Sequence, residues 1–357
     1  MAVSRLLPLR RDALLLARAL GAGVRRPKAP FKVTAAVTWV CDQHCRHCNI
    51  WRRERGPELS AAEWRQVWRG TKGALSWIDL TGGEVSSRED FAEIAVAAVE
   101  ELPALAMLHF PTNGADPQRL EQLARTILRA DPHRLVVSIS LDGPPRLHGR
   151  IRGDRAAFDG AVRSYQRLRA LGVDAYFGMT LSPHNEGELD STFAALRERL
   201  PELRWQDLHH NFFHRSSHYF ENQDMDGLSP DRLQELAAGV LERRGLPANP
   251  TELLEWLYLR RVGGYAKSGA SAEPCTSLSG NCFIAPDGTV HPCHIWERPL
   301  GRLSEVAYAL PQLWNRTSTL QARERVREGR CPGCWTPCEA YPSLLAAGPG
   351  LLRSRSA

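Results

Sequence analysis

Between residues 32 and 211 the chain switches repeatedly from a short run rich in β-branched residues to a helical pattern, and this alternation leaves few folds open. Apolar residues recur at every second position in a strand and at every third or fourth in a helix, so the two patterns cannot be exchanged. Repeated βα units imply parallel strands with their connecting helices packed outside. The predicted strands span 32–40, 77–81, 106–112, 134–141, 174–181 and 204–211, and the intervening helices span 61–69, 89–102, 117–129, 157–171 and 187–200. The expected fold class is α/β, a partial (βα)6 barrel with right-handed crossovers. Sites on such barrels collect at the carboxyl ends of the strands. A cysteine loop follows the first predicted strand, Gly82-Gly83-Glu84 the second, Asn113-Gly114 the third and Asp142-Gly143 the fourth.

All 9 cysteines fall in two groups, one at 41–48 and the other at 275–338. An odd count in short-range triplets suits metal ligation better than a disulfide framework, and it points to a reducing cytoplasm. Cys41, Cys45 and Cys48 form a C-x3-C-x2-C loop. Most [4Fe–4S] clusters take four protein ligands, so three thiolates leave one iron open to a substrate or cofactor. Zinc is the competing reading of the loop, with His44 or His47 as its fourth ligand. The later group comprises Cys275, Cys282, Cys293, Cys331, Cys334 and Cys338. Six sulfurs exceed what one cluster requires and fall short of two fully ligated ones. A structural zinc on Cys331, Cys334 and Cys338 is the alternative there.

The cysteine loop after a first barrel strand resembles the defining motif of the radical S-adenosylmethionine superfamily. Thr81-Gly82-Gly83-Glu84-Val85 resembles the family's Gly-Gly-Glu-Pro segment, with Val85 in place of the proline. The resemblance implies that Gly82, Gly83 and Glu84 bind the cofactor's methionine amino group. Glycines permit close backbone approach, and a carboxylate can pair with an ammonium. Thr112-Asn113-Gly114 and Ser138 to Gly143 resemble further family segments, which places Ser140 and Asp142 near the ribose or the methionine carboxylate and adds Asn113 to the cofactor set. Arg152, in the stretch from His148 to Gly153, could fork onto a carboxylate. Gly288 between Cys275 and Cys293 resembles the opening of the SPASM and twitch modules, which carry auxiliary [4Fe–4S] clusters. The resemblance thus implies S-adenosylmethionine, the cluster that binds it, at least one auxiliary cluster, and a flavodoxin or ferredoxin as low-potential electron donor.

The expected organisation is a basic amphipathic segment over 1–30, the barrel over 31–225, a helical connector over 226–267, the auxiliary cluster module over 268–345 and a frayed tail over 346–357. Pro286-Asp287-Gly288 signals a turn between two short strands of the module. In the connector, Leu233, Leu236, Val240, Leu241, Leu253, Leu254, Trp256 and Leu257 are the expected buried positions. The net charge of +6 is modest, and basic residues are scattered among acids along the chain, so nucleic-acid binding is not implied. No run approaches the ~18 apolar residues of a membrane span. At the start, Leu6, Leu7, Leu9, Leu14, Leu15, Leu16 and Leu20 alternate with Arg5, Arg10, Arg11 and Arg18. That pattern predicts a helix packed on the domain surface or one lying peripherally on the inner face of a membrane.

His209, His210, His214 and His218, with Arg215, crowd the end of the sixth strand. His214 and Arg215 are the candidate catalytic residues, as an acid–base group and a carboxylate anchor. Three function classes follow: modification of a ribosomally made peptide or protein, functionalisation of a lipid, isoprenoid or cofactor precursor at a membrane surface, and a non-catalytic metal-binding protein.

Overall fold

A computed structural model describes residues 3–24, 27–71 and 73–348, with side chains from residue 10 onward. Its strands form one 9-stranded sheet in the order β6-β5-β4-β3-β2-β1-β7-β8-β9. β1 (Lys32–Thr38), β2 (Trp77–Gly82), β3 (Met107–Thr112), β4 (Leu135–Ser140), β5 (Asp174–Leu181) and β6 (Leu208–Phe212) pair in parallel from one neighbour to the next. Helices Ala61–Gly70, Phe91–Glu101, Pro117–Leu128, Ala157–Ala170 and Leu189–Arg199 make the crossovers. Local chemistry starts them where it should: Ser60 and Glu63 form a reciprocal capping box, and Asp116 caps the helix that Pro117 opens.

Every residue of β1 is buried, as expected of a parallel strand covered on both faces. In β5 the burial alternates. Tyr176 points into the lumen, where its hydroxyl meets His109 Nε2 at 3.4 Å. Met179 faces the opposite way and packs with Leu181, Phe212 and Val240.

Several boundaries differ from the sequence reading. The sixth strand begins at Leu208 instead of residue 204, because Trp205–Asp207 is a 3-10 turn closed by Asp207 against the Arg204 backbone N–H. An extra helix, Pro145–Arg152, stands between β4 and its crossover helix, entered at a proline and ended by Gly153 at φ 72°. The connector is three helices, Pro230–Arg244, Pro250–Arg260 and Val262–Ser268. Of the positions expected in its core, Leu236, Val240 and Leu257 are buried, Leu253 is exposed, and Leu233, Leu241, Leu254 and Trp256 are half-buried. The second of these helices turns Glu255, Tyr258 and Leu259 inward, since Glu255 binds His209 of β6 at 2.7 Å.

The cysteine-rich region extends the barrel sheet. β7 (Asn281–Ile284) runs parallel to β1, with Lys32 opposite Asn281 and Ala35 opposite Ile284. β8 (Thr289–His291) and β9 (Gly301–Arg302) follow antiparallel, the first across the Pro286-Asp287-Gly288 turn. The last described helix is Pro337–Ala347; the expected tail from residue 349 lies outside the described residues.

The amino-terminal helix, Val3–Val24, lies across the amino ends of the strands. Arg18 donates to Ser76 Oγ at 2.7 Å and to the Leu75 carbonyl, just before β2. Asp12 meets His133 ahead of β4 at 3.1 Å. Ala19 and Ala22 are buried with Phe31, and Leu15 and Leu345 pack against them. Leu14 and Leu16 remain exposed. The Arg5, Leu6, Leu7 and Leu9 side chains lie outside the described residues. Among the described residues no helix is long and apolar enough to cross a membrane.

Burial also makes the fold sensitive to acid. It pushes His148 and His210 down to about 3, far below the ordinary imidazole value. As acid is added below about pH 6.5, the unfolded chain takes up protons at these rings that the folded chain does not. Their contribution to stability is complete above that pH and is lost progressively toward about pH 3. Urea unfolding should therefore show a falling midpoint between about pH 7 and pH 5, and a flat profile would refute the assignment. Phe110→Ala, which empties a fully buried site edge-on to Phe91, should cost roughly 3–5 kcal/mol in the same measurement at neutral pH.

Candidate functional site

The cysteine loop leaves the carboxyl end of β1 and is clamped from two sides. His44 N–H donates to the Arg152 carbonyl at 3.0 Å and Arg46 N–H to the Ile151 carbonyl at 2.8 Å. On the other side Asn49 N–H reaches the Phe220 carbonyl at 2.8 Å, and Asn222 Nδ2 reaches the His47 carbonyl at 3.0 Å. Trp51 Nε1 closes the loop onto the Cys48 carbonyl at 3.0 Å. Three thiols are thereby gathered in one place. Burial, with the neighbouring thiols adding to it, pushes Cys41 and Cys48 up to about 12 against the pull of a backbone N–H on each, and burial raises Cys45 despite Arg152. A coordinating metal reverses that logic, because a ligated thiol is deprotonated outright.

Gly82 and Gly83 have a steric reason to be glycine. A Cβ on Gly82 would stand 2.0 Å from the Thr38 carbonyl oxygen, and one on Gly83 would stand 2.1 Å from that of Val40. Gly83 and Glu84 donate their N–H groups to those same carbonyls at 2.9 and 2.8 Å. The end of β2 is thus laced to the root of the cysteine loop. Glu84 is buried, and its carboxylate accepts from Thr112 Oγ1 at 2.8 Å, Asn113 N–H at 2.7 Å and Ser86 N–H at 3.0 Å. Burial raises its pKa against the pull of these donors. Val85, in place of the proline of the motif it resembles, sits in the main apolar core.

Asn113 bridges outward, its Nδ2 donating to Asp42 Oδ1 at 2.6 Å. Arg152 and Asp142 form a buried ion pair, with Arg152 Nε donating to Asp142 Oδ2 at 2.7 Å. The other Asp142 oxygen accepts from Thr180 N–H at 3.0 Å. Burial pushes the Asp142 carboxyl up, and Arg152 outweighs it, leaving the group below its usual range. Asp142 therefore stands behind Arg152 and orients it, while Arg152 itself faces the cavity with Nη1 at 3.6 Å from Cys45 Sγ.

These residues enclose a cavity of about 170 Å³, lined by Cys41, Cys45, Cys48, Gly82, Gly83, Glu84, Asn113, Ser140 and Arg152 among others. Buried polar atoms on its wall have no hydrogen-bond partner among the described residues: both amide atoms of Gln43, His47 Nδ1 and Asn211 Oδ1. Unpaired buried polar groups are costly. Their concentration here, beside three thiols, fits a polar cofactor coordinated to a three-cysteine cluster.

Of the candidate catalytic residues, His214 lines the cavity with both ring nitrogens bonded, and Arg215 is not among the residues that line it. His214 Nδ1 donates to the Phe212 carbonyl at 2.7 Å and its Nε2 accepts Trp335 N–H at 3.1 Å. Burial pushes it down to about 4, so it is a neutral tie between the barrel and the cysteine-rich region. Arg215 is exposed and donates to the Met225 carbonyl at 2.8 Å. The other histidines divide by strand alternation: His209 enters the lumen and binds Glu255, His210 points away from it, and His218 ties to the Cys293 carbonyl at 3.1 Å. The stretch expected to border the cavity ends in Tyr219, not singled out as a site residue, whose buried hydroxyl contacts Thr81 Oγ1 at 2.7 Å on the cavity wall. Its position after β6 places it near the cavity, and only the loop that brings it back across the barrel mouth sets its contact with Thr81.

The later cysteines separate into two kinds. Cys275, Cys293 and Cys334 are raised by burial, then by Glu339 and by one another, and Cys331 lies within charge–charge reach of Cys275 and Cys334. Backbone N–H groups of Ser277 and Trp296 point at Cys275 Sγ and Cys293 Sγ at 3.4 and 3.3 Å. This set could hold one four-cysteine cluster. Cys282 and Cys338 stand apart, with Lys32 and Glu339 as their charged neighbours.

Comparison with known proteins gives the same picture. Residues 37–196 match the Radical SAM superfamily, and residues 275–338 match the SPASM iron-sulfur cluster-binding domain. The sporulation killing factor maturation protein SkfB of Bacillus subtilis is 22% identical over 306 residues, 85% of this chain and 69% of that protein. The PqqA peptide cyclase of Ruegeria pomeroyi is 26% identical over 275 residues, 75% of this chain and 69% of that one. Among solved structures, Streptococcus suis SuiB bound to S-adenosylmethionine shares the fold with a TM-score of 0.60 at 14% identity, over 81% of this chain and 66% of that one. The chain thus spans about two thirds of the length of SuiB. Taken with the three-thiol loop and its cavity, these matches make the chain a member of the radical SAM superfamily with a carboxyl-terminal SPASM domain, an iron–sulfur enzyme whose cofactors are S-adenosylmethionine, the [4Fe–4S] cluster that binds it and auxiliary iron–sulfur centres.

Proposed function

We propose that this enzyme modifies a ribosomally made peptide. The observation that carries the reading is the length of the likeness to peptide enzymes: SkfB is named a maturation protein and the PqqA enzyme a peptide cyclase, and the two matches cover 85% and 75% of this chain. SuiB, which shares the fold, is also known bound to its precursor peptide SuiA. The cavity mouth supports it, since Trp51, Phe213 and Phe220 give an apolar lip suited to a peptide side chain. When bound, the cluster and S-adenosylmethionine supply reductive cleavage to a 5′-deoxyadenosyl radical that abstracts a hydrogen atom from substrate, with flavodoxin or ferredoxin as electron donor.

The residues of the chain divide the remaining work. Cys41, Cys45 and Cys48 hold the first cluster, and Cys275, Cys293, Cys331 and Cys334 hold an auxiliary one. Gly82, Gly83 and Glu84 would receive the methionine end of the cofactor, Arg152, held by Asp142, would pair with its carboxylate, and Asn113 and Ser140 would complete the wall. Protein supplies position and dryness here, and the cofactors supply the chemistry. The membrane-surface reading of the amino-terminal helix finds less support, because Leu15, Ala19 and Ala22 face the protein and the helix lies at the strand ends remote from the cavity.

Anaerobically reconstituted protein should release 5′-deoxyadenosine from S-adenosylmethionine, and faster with a precursor peptide encoded beside its gene, whose mass should change. Unaltered mass across such peptides, with turnover of a lipid or isoprenoid instead, would overturn the peptide assignment. Replacing Cys41, Cys45 and Cys48 together by alanine should abolish 5′-deoxyadenosine formation while leaving the auxiliary cluster's absorbance. Gly83→Ala pushes a methyl into the Val40 carbonyl, and the displaced cofactor wall should lower turnover roughly a hundredfold with the iron content retained.

A further inference from the structure

Three residues that each flank a cysteine of the later group meet at one buried carboxylate. Glu339 follows Cys338 in the first turn of the helix Pro337–Ala347 and is 3% exposed. It accepts a hydrogen bond from Nδ2 of Asn281, the residue before Cys282. Its other oxygen lies 3.7 Å from Nδ1 of His294, the residue after Cys293. After burial, Glu339 is the foremost influence raising the thiols of Cys275, Cys282, Cys293 and Cys334. Lys32 opposes it from the floor of the barrel: fully buried, it donates to the Cys338 carbonyl at 2.9 Å and pairs with Asp79 at 2.8 Å.

We propose that Glu339 is a positioning residue for electrons, a fixed negative charge that holds the reduction potential of the auxiliary cluster low. The proposal rests on the reading above that the later cysteines ligate an iron–sulfur cluster. Cluster potentials follow net charge, hydrogen bonds to sulfur and exposure. Adding an electron to an anionic cluster costs more beside a buried carboxylate, where little solvent screens the repulsion. The N–H groups of Ser277 and Trp296 and the ammonium of Lys32 act in the opposite sense, so the potential is set by a balance in which Glu339 is the acid component. Burying a carboxylate is expensive, and a chain with no use for its charge could carry glutamine there. A cluster held low passes an electron onward instead of retaining it, which suits a centre placed between an external donor or a substrate radical and the first cluster.

The test is a redox titration of anaerobically reconstituted full-length protein followed by electron paramagnetic resonance, with the first cluster recognised by its response to S-adenosylmethionine. Glu339→Gln should move the auxiliary potential positive, Glu339→Asp should leave it near the wild-type value, and Lys32→Met should move it negative. The first cluster's potential should stay in place throughout. A cluster-loaded Glu339→Gln protein with an unmoved auxiliary potential overturns the proposal. Should that variant fail to assemble its cluster, Lys32→Met decides: a negative shift supports the charge balance, and an unmoved potential overturns it. Wild-type protein showing only one cluster would instead sink the underlying reading of the later cysteines, a result visible before any variant is made.

Discussion

β1 is the strand on which both metal regions depend. It is buried along its whole length and hydrogen-bonded on both edges, to β2 on one side and β7 on the other, each in parallel register. Its carboxyl end releases the three-cysteine loop, and its amino end presents Lys32 to the Cys338 carbonyl. A strand so enclosed has no freedom to slip, because a one-residue shift would turn its buried set to the wrong face. The relation between the cysteine loop and the cysteine-rich region is therefore built into one sheet, without reliance on docking between separate bodies.

The cavity gains rigidity from the way its walls consume their own polar groups. The carbonyls of Thr38 and Val40 take the N–H groups of Gly83 and Glu84, Glu84 takes three donors, and Asp142 spends its oxygens on Arg152 and Thr180. What remains unspent is informative: Gln43, His47 and Asn211 hold buried atoms on the same wall that are unpaired among the described residues. A site in which the supporting bonds are complete and the facing ones are open is organised before its ligand arrives.

Strand existence and order were legible from periodicity, and β5 has the bounds its pattern predicts. The start of β6 was not, since the stretch from Arg204 to Asn211 reads as one strand until Asp207 folds back on the Arg204 N–H. The helix Pro145–Arg152 escaped notice because eight residues with two glycines at its borders look like a loop. The histidines at the end of β6 show a further limit. His209 and His210 are adjacent in sequence, yet one binds Glu255 in the lumen and the other is buried away from it. Density of titratable residues at a strand end says where chemistry is permitted and does not say which rings are already committed. His214 is committed at both nitrogens.

The sequence by itself determined the class of the fold and the kind of chemistry, because helix and strand periods and the spacing of three thiols on one loop are local properties that survive without knowledge of neighbours. Tertiary structure alone decided which of the later cysteines lie together, that Asp142 serves Arg152 from behind, that Tyr219 returns to the cavity wall, and that Glu339 is buried among thiols. Those facts rest on contacts between residues far apart in the chain, and through-space electrostatics and burial have no signature until the chain has closed upon itself.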